Sequence, residues 1–215
     1  MTFVAYDIET CPLPIDQMSE AQLRRHDKEL RRQLERTPAM DEHEASRLVR
    51  SIHPMLGWIC CISAVSGTTT DTNTPRSWTA ENPDEEGTLL THFWSDVAGF
   101  NNVVWVTFNG KRFDAPWLLC RSSHYRLSPS RTDLLNTYPF RHRPHADLAT
   151  IWPQSCSLDD LCDHLSIPSP KGSMSGALVA DAVASGAIDE VELYCSRDVL
   201  ATLQCIQAIP FITGL

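Results

Sequence analysis

Two acidic residues near the start of the chain constrain its fold more than any other feature. Asp7 and Glu9 follow the apolar run TFVAY and lie two residues apart. On an extended strand such residues point to the same face, which would place both carboxylates side by side at the end of a buried strand. Buried carboxylates are costly unless a cation or hydrogen-bond donors compensate them. The pair alone is also compatible with a solvated strand end, so its meaning depends on the rest of the chain.

Apolar runs and helical periodicity alternate along the chain and predict an α/β fold. Strands are predicted over residues 2–7, 58–65, 76–79, 103–108 and 145–148. Helices are predicted from about residues 82, 114 and 157, over residues 176–185, and over residues 189–209. The buried stripe of the last helix is predicted to be Val191, Val199, Leu203 and Ile206. With 215 residues and 42% hydrophobic content, the chain can bury a single sizeable core.

Two later segments offer further acids in distinctive settings. FNGKRFD places Asp114 after a predicted strand, where open α/β sheets bind ligands, although an N-cap is the alternative for this residue. YCSRD places Tyr194 and Asp198 four residues apart on a predicted helix, so that they share one face. A solvated surface pair is the alternative there. Four acids in this order suggest a two-metal phosphodiesterase site.

The order and contexts of these segments resemble the three motifs of the DEDD superfamily of exonucleases, tyrosine subtype. The motifs read Asp7-x-Glu9, then Asn109-x-x-x-Phe113-Asp114, then Tyr194-x-x-x-Asp198. The chain is most similar to stand-alone 3′–5′ exonucleases related to the proofreading domain of family-B DNA polymerases. HPMLGWICCISAV resembles the second strand of that family, and SLDDLCDHLSIPSPKG resembles the helix and Lys-Gly loop before its last motif.

The resemblance implies a fold and an activity. The fold would be a ribonuclease H-like mixed five-stranded sheet flanked by helices, forming one exonuclease domain over residues 1–215, with a helical insert after the first strand at about residues 14–54. The activity would be 3′–5′ release of nucleotides from single-stranded DNA, assisted by two Mg²⁺ or Mn²⁺ ions about 3.5–4 Å apart.

The resemblance also assigns roles to the motif residues. Asp7 would bridge both ions, Glu9 and Asp198 would complete the site that activates water, and Asp114 would support the second ion. Tyr194 would orient the attacking water rather than remove its proton, because a free tyrosine has a pKa of about 10. Substrate contacts are expected from residues within or beside the motifs, namely Thr10, Asn109, Lys111, Arg112 and Phe113.

The net charge of −9 is unusual for a protein that binds nucleic acid. Bound metals would bring positive charge to the site, and a short single-stranded end needs only a local basic patch. Lys111 and Arg112 are the expected patch because they flank Asp114. Nothing in the motifs separates deoxyribose from ribose, so an RNA-trimming exonuclease is one alternative. A nucleic-acid-binding or assembly module without turnover is another, and a polymerase or repair complex as partner stays open.

The insert begins with a capping box at Ser19 and Gln22 and carries a second predicted helix over about residues 41–52. Its first helix is strongly basic, through Arg24, Arg25, Lys28, Arg31, Arg32 and Arg36. The favoured interpretation is a solvated hairpin that packs through its few leucines. A basic arm over the substrate channel and a contact between copies of the chain are the alternatives.

The remaining features exclude other classes. The eight cysteines form no CxxC pair, which favours free thiols in a reducing compartment. His142, His145 and Asp147 lack strong metal-ligand spacing, and Asp147 is expected at the edge of the site. No apolar stretch reaches the length of a membrane span, and the start of the chain lacks a basic segment typical of a signal peptide. We therefore expect a cytoplasmic protein.

Overall fold

A mixed five-stranded sheet forms the centre of the protein. The computed structural model describes residues 1–151, 155–172 and 174–209. The strands are β1 (Thr2–Pro12), β2 (Gly57–Gly67), β3 (Arg76–Thr79), β4 (Val103–Thr107) and β5 (His145–Asp147). Their order in the sheet is β3-β2-β1-β4-β5, with antiparallel pairs from β3 to β1 and parallel pairs from β1 to β5. This arrangement confirms the predicted mixed five-stranded sheet.

The central strand β1 is longer than predicted. It pairs with β2 as far as Pro12, whereas its pairing with β4 covers only Thr2 to Ala5. One side of β1 is therefore left without a neighbouring strand beyond Ala5. The register of β1 against β2 also shifts between Glu9 and Thr10, and bulges of this kind redirect side chains beside functional sites.

Helices cover both faces of the sheet. They are α1 (Glu20–Arg36), α2 (Glu42–Ser51), α3 (Glu86–Val97), α4 (Asp114–His124), α5 (Leu158–His164), α6 (Val179–Ala184) and α7 (Ile188–Gln207). The alternation of strand side chains supplies one apolar cluster to each face. Val4 and Tyr6 of β1 belong to one cluster, and Phe3 and Ala5 belong to the other.

The predicted last helix is confirmed, whereas the helix predicted before it is shorter. All four residues of the predicted stripe of α7 are fully buried. The segment predicted as a helix over residues 176–185 is a 3₁₀ turn (Gly176–Leu178) followed by α6. The chain turns at Gly186, whose φ of 78° lies in the left-handed region that favours glycine.

The insert is attached to the end of β1 through its second helix. The capping box of α1 is present as predicted, and the six basic residues of α1 are exposed. In α2, by contrast, Ala45 and Val49 are buried, and the buried guanidinium of Arg50 donates to the carbonyl of Leu13. The hydroxyl of Thr10 donates to the carbonyl of Ser51 at 2.6 Å. The position of α2 relative to the first motif is therefore well determined.

All eight cysteines are free thiols. Within the described residues, none of the helices combines the length and apolar character needed to cross a bilayer.

Candidate active site

The open side of β1 is occupied by a carboxylate from the second motif. Asp114 is the first residue of α4, and its Oδ1 accepts a hydrogen bond from the backbone N–H of Ile8 at 3.1 Å. This contact takes the place of the strand pairing that β4 no longer provides. The N-cap alternative for Asp114 is thereby wrong, because the N-cap residue is Phe113 and no side chain caps the helix.

The acids of the first motif lie beside Asp114. The carboxyl groups of Asp7 and Asp114 are in hydrogen-bonding contact. Ligand atoms of Asp7, Glu9 and Cys195 all lie within 4.8 Å of one another. The Cys195 thiol donates to the carbonyl oxygen and to Oδ2 of Asp7, at 3.6 Å in each case. Asp7 is therefore held from two sides, by α4 and by α7.

The third motif completes the group from α7. Tyr194 and Asp198 are partly buried and lie one helical turn apart on the same face of α7, where the Tyr194 hydroxyl lowers the pKa of the Asp198 carboxyl group. The charge of Asp198 acts on both Asp7 and Glu9. The structure thus brings together the five residues predicted to be catalytic, from three segments that are far apart in the chain.

Burial raises the pKa of every carboxyl group in this cluster, and repulsion between the carboxylates adds to the shift at Asp7 and Glu9. Burial, followed by the charges of Asp114 and Glu9, holds the pKa of Asp7 well above its usual range. Burial raises the pKa of Asp114 to about 7 and that of Asp198 to about 6, although the Tyr194 hydroxyl opposes the second shift. The pKa of the Tyr194 hydroxyl is itself raised by burial and by the charge of Glu9. The tyrosine therefore stays protonated at neutral pH.

The donor set of the cluster fits Mg²⁺ or Mn²⁺. Both ions prefer oxygen ligands, and carboxylates of Asp7, Glu9, Asp114 and Asp198 provide them. A divalent cation would relieve the repulsion between these carboxylates, because it is the strongest local charge in such a site. Cys195 is adjacent, but its thiol is fully buried and already donates to Asp7.

A fifth acid supports the second motif. The buried carboxylate of Asp147, at the end of β5, accepts hydrogen bonds from three backbone N–H groups: those of Asn109 at 2.7 Å, Lys111 at 3.0 Å and Ala149 at 3.1 Å. Asn109 itself has a φ of 65°. Asp147 therefore fixes the turn that leads from β4 to Asp114, which gives a structural reason for its predicted position at the edge of the site.

The residues predicted to contact substrate divide into three groups. Thr10 and Phe113 line a groove of about 730 Å³ that also contains Glu9. Asn109 and Arg112 are exposed. The predicted substrate contact of Lys111 is wrong. This residue is only 3% exposed, and its ammonium donates to the carbonyls of Tyr138 at 2.6 Å and Arg141 at 2.5 Å. Lys111 holds the loop before β5 and is not free to bind phosphate.

A second cavity also borders the cluster. It has a volume of about 380 Å³ and is lined by Tyr194, Asp198 and the Lys171-Gly172 loop. The ammonium of Lys171 pairs with Asp159 at 2.7 Å. The cluster thus borders two cavities, the groove through Glu9 and the second cavity through Tyr194 and Asp198.

Sequence reasoning missed two contributors to the site. The cysteine spacing predicts only free thiols, whereas the thiol of Cys195, directly after Tyr194, donates to the Asp7 carboxylate. The pattern of the insert favours a solvated hairpin, yet several residues of its second helix line the groove that contains Glu9. Its buried Ala45 and Val49, which are four positions apart and therefore share one face of the helix, were the available signal.

Comparison with known proteins agrees with this geometry. The family model described as a predicted 3′–5′ exonuclease related to the exonuclease domain of PolB matches residues 52–206. That match includes the second and third motifs and leaves Asp7 and Glu9 outside it. No curated protein matched the chain in sequence.

A solved structure shares the fold. The family B DNA polymerase from the hyperthermophilic archaeon Pyrobaculum calidifontis is similar with a TM-score of 0.63 and 18% sequence identity. The similarity covers 96% of this chain and 24% of the polymerase chain, so the protein spans about a quarter of the length of that relative. Since the family model covers well over half of the sequence, the chain belongs to the family of predicted 3′–5′ exonucleases related to the exonuclease domain of PolB.

Proposed function

We propose that the protein is a metal-dependent 3′–5′ exonuclease that removes nucleotides from the ends of single-stranded DNA. The observation that carries the proposal is the convergence of Asp7, Glu9, Asp114 and Asp198 on the open side of β1, with Tyr194 beside them. A structural role alone would not require four carboxylates to be crowded together at such an electrostatic cost.

The four carboxylates would hold two Mg²⁺ or Mn²⁺ ions. When bound, these ions would supply the positive charge that a water nucleophile and a departing 3′ oxygen need at neutral pH. The ligands come from rigid elements: Asp7 and Glu9 from the central strand, and Asp198 from the long helix α7. Asp114 is oriented by the N–H of Ile8, and Asp7 by the thiol of Cys195.

Tyr194 would orient the water rather than accept its proton. Its hydroxyl remains protonated because burial and neighbouring carboxylates raise its pKa. The hydroxyl oxygen could accept a hydrogen bond from water while the hydroxyl proton is directed towards the Asp198 carboxylate. On this arrangement the Asp198 carboxylate fixes Tyr194, and Tyr194 fixes the nucleophile.

The direct test is digestion of 5′-labelled oligonucleotides. Single-stranded DNA, duplex DNA and RNA of the same sequence are incubated with Mg²⁺, with Mn²⁺ or with a chelator. A ladder that shortens one nucleotide at a time from the 3′ end, on single-stranded DNA and only with metal, is the expected result. Faster shortening of RNA than of DNA would indicate that RNA is the preferred substrate. Full activity in excess chelator would overturn the metal dependence.

The matched variant is Asp7→Asn, which keeps the shape of the side chain and removes its charge. We expect no detectable cleavage and a thermal midpoint equal to or above that of the wild type, because one repulsive charge has left the metal-free cluster. Asp163→Asn, at an exposed position of α5, serves as the control and should retain full activity. Wild-type activity in Asp7→Asn would contradict the proposed site.

A further inference from the structure

The groove beside Glu9 is formed on one side by the insert. Its volume is about 730 Å³, and it runs from Glu9, Thr10 and Phe113 between α2 and the segment that carries α6. The exposed basic residues of α1 do not line it. The insert therefore meets the active site through α2, which is the helix without the basic stripe.

This wall of the groove is rigid. Thr10 is hydrogen-bonded to the last turn of α2, and the buried guanidinium of Arg50 joins the same turn to Leu13. Ala45 and Val49 pack into the protein interior. A side chain on the groove face of α2 is therefore held at a fixed position relative to Glu9.

One cation faces the groove from this wall. Among the described residues that line the groove, Arg47 is the sole arginine or lysine, whereas Glu9, Asp41, Glu44 and Asp181 are acidic. The guanidinium of Arg47 forms an ion pair with Asp181 at the start of α6, so that the pair joins the two walls. Both side chains remain partly exposed, 32% for Arg47 and 58% for Asp181.

An exposed ion pair of this kind stabilises a protein by no more than about 1 kcal/mol. A phosphodiester competes well for the same guanidinium, because arginine binds phosphate through two parallel hydrogen bonds. The groove also places the ring of Phe113 near Glu9, and an aromatic ring can stack on any base. The groove thus combines a carboxylate cluster, an aromatic ring and a single arginine. An unpaired end of a nucleic-acid strand carries phosphates and bases that these groups could bind.

We propose that this groove holds the 3′-terminal segment of the substrate strand, and that Arg47 binds one of its phosphodiesters in exchange for Asp181. The proposal rests on the proposed exonuclease function and adds a specific binding residue supplied by the insert. Asp181 acts as the internal competitor that keeps Arg47 directed into the groove before substrate arrives.

The experiment is a double-mutant cycle on substrate binding. Affinity for a 5′-fluorescein oligothymidylate with phosphorothioate linkages at its 3′ end is measured by anisotropy at several salt concentrations. For Arg47→Ala we expect roughly tenfold weaker binding and a salt slope smaller by about 0.7, because one phosphate contact is lost. For Asp181→Asn we expect binding roughly two- to fivefold tighter, since Arg47 no longer has its partner.

The double variant separates exchange from simple repulsion. If Asp181 acts through Arg47, Asp181→Asn changes nothing in the Arg47→Ala background. An equal gain in both backgrounds would mean that Asp181 only repels the strand, and it would overturn the exchange. Arg24→Ala, on the exposed face of α1, is the control and should bind like the wild type. Thermal midpoints within about 3 °C of the wild type verify that the variants are folded.

The outcomes also separate this inference from the proposed function. Cleavage by the wild type, with unchanged KM and salt slope in Arg47→Ala, would overturn the role of Arg47 alone. Binding that depends on Arg47 without cleavage of any oligonucleotide would overturn the exonuclease and leave the groove as a nucleic-acid site. Failure of the wild type to bind the oligonucleotide would overturn both.

Discussion

A single hydroxyl at the edge of the acidic cluster carries a specific kinetic prediction. Tyr194→Phe removes the hydroxyl and keeps the ring, which packs against the hydrophobic cluster that contains Tyr6 and Ile8. We expect turnover to fall by roughly 10- to 1000-fold, the range for one oriented hydrogen bond to a reacting group, with little change in substrate affinity. Steady-state cleavage of a short labelled oligonucleotide measures both quantities. A large loss of affinity with unchanged turnover would instead make Tyr194 a stacking residue.

The residue scale also shows how far sequence reasoning reaches. The five motif residues were located because their spacing and order carry the information, and the structure brings them together. Lys111 was misplaced for a physical reason. Its backbone position beside Asp114 is evident in the sequence, but the carbonyls of Tyr138 and Arg141, which bind its ammonium, approach from a loop almost thirty residues away.

At the scale of elements, the turn after β4 depends on one buried carboxylate. In Asp147→Ala three backbone N–H groups lose their acceptor, which should lower the free energy of unfolding by about 2–4 kcal/mol and displace Asp114. We expect a lower denaturant midpoint and weaker cleavage together. Asp163→Asn, which lies on an exposed face, should change neither quantity. If folded Asp147→Ala cleaved at the wild-type rate, Asp147 would not be needed to position Asp114.

Elements were predicted well where a local pattern determines them and less well where a neighbour does. The start of α1 follows from its capping box, the start of α2 from its cap at Asp41, and the course of α7 from its apolar stripe. The length of β1 depends on β2, which pairs with it as far as Pro12. Likewise, the helix predicted from Asn82 begins as a helix only at Glu86, after a 3₁₀ turn. The buried Glu86 carboxylate binds Arg121 and the N–H of Ile59, two distant partners that sequence alone does not reveal.

At the scale of the whole molecule, the raised pKa values predict how stability depends on pH. Asp114 and Asp198 have pKa values of about 7 and about 6 in the folded protein, against an ordinary value of 3.8. Because the folded state favours their protonated forms, their contribution to stability is complete below about pH 4 and is lost as pH rises through 6 and 7. The thermal midpoint in chelator should therefore fall between pH 5 and pH 8, by on the order of 5 °C.

Two comparisons test the origin of this decrease in the thermal midpoint. In Asp114→Asn the decrease should be smaller, because one of the titrating groups has gone while the acceptor for the Ile8 N–H remains. Added Mg²⁺ should raise the midpoint more at pH 8 than at pH 5, since it binds ionised carboxylates. Equal stabilisation by Mg²⁺ at both values would argue against these carboxylates as its ligands.

The hydrogen bonds that hold Asp7 and Asp114 also have a consequence for synthesis. One joins residues 106 positions apart in the chain, and the contacts of Cys195 with Asp7 span 188 positions. The third motif lies entirely on α7, so a growing chain that has not yet reached this helix lacks both Tyr194 and Asp198. In the chain, the exposed turn at Ser185 and Gly186 lies between that helix and the segments that carry Asp7, Glu9 and Asp114. For the proposed exonuclease, division of the chain at this turn would leave two inactive pieces, and cleavage would return only when the pieces associate.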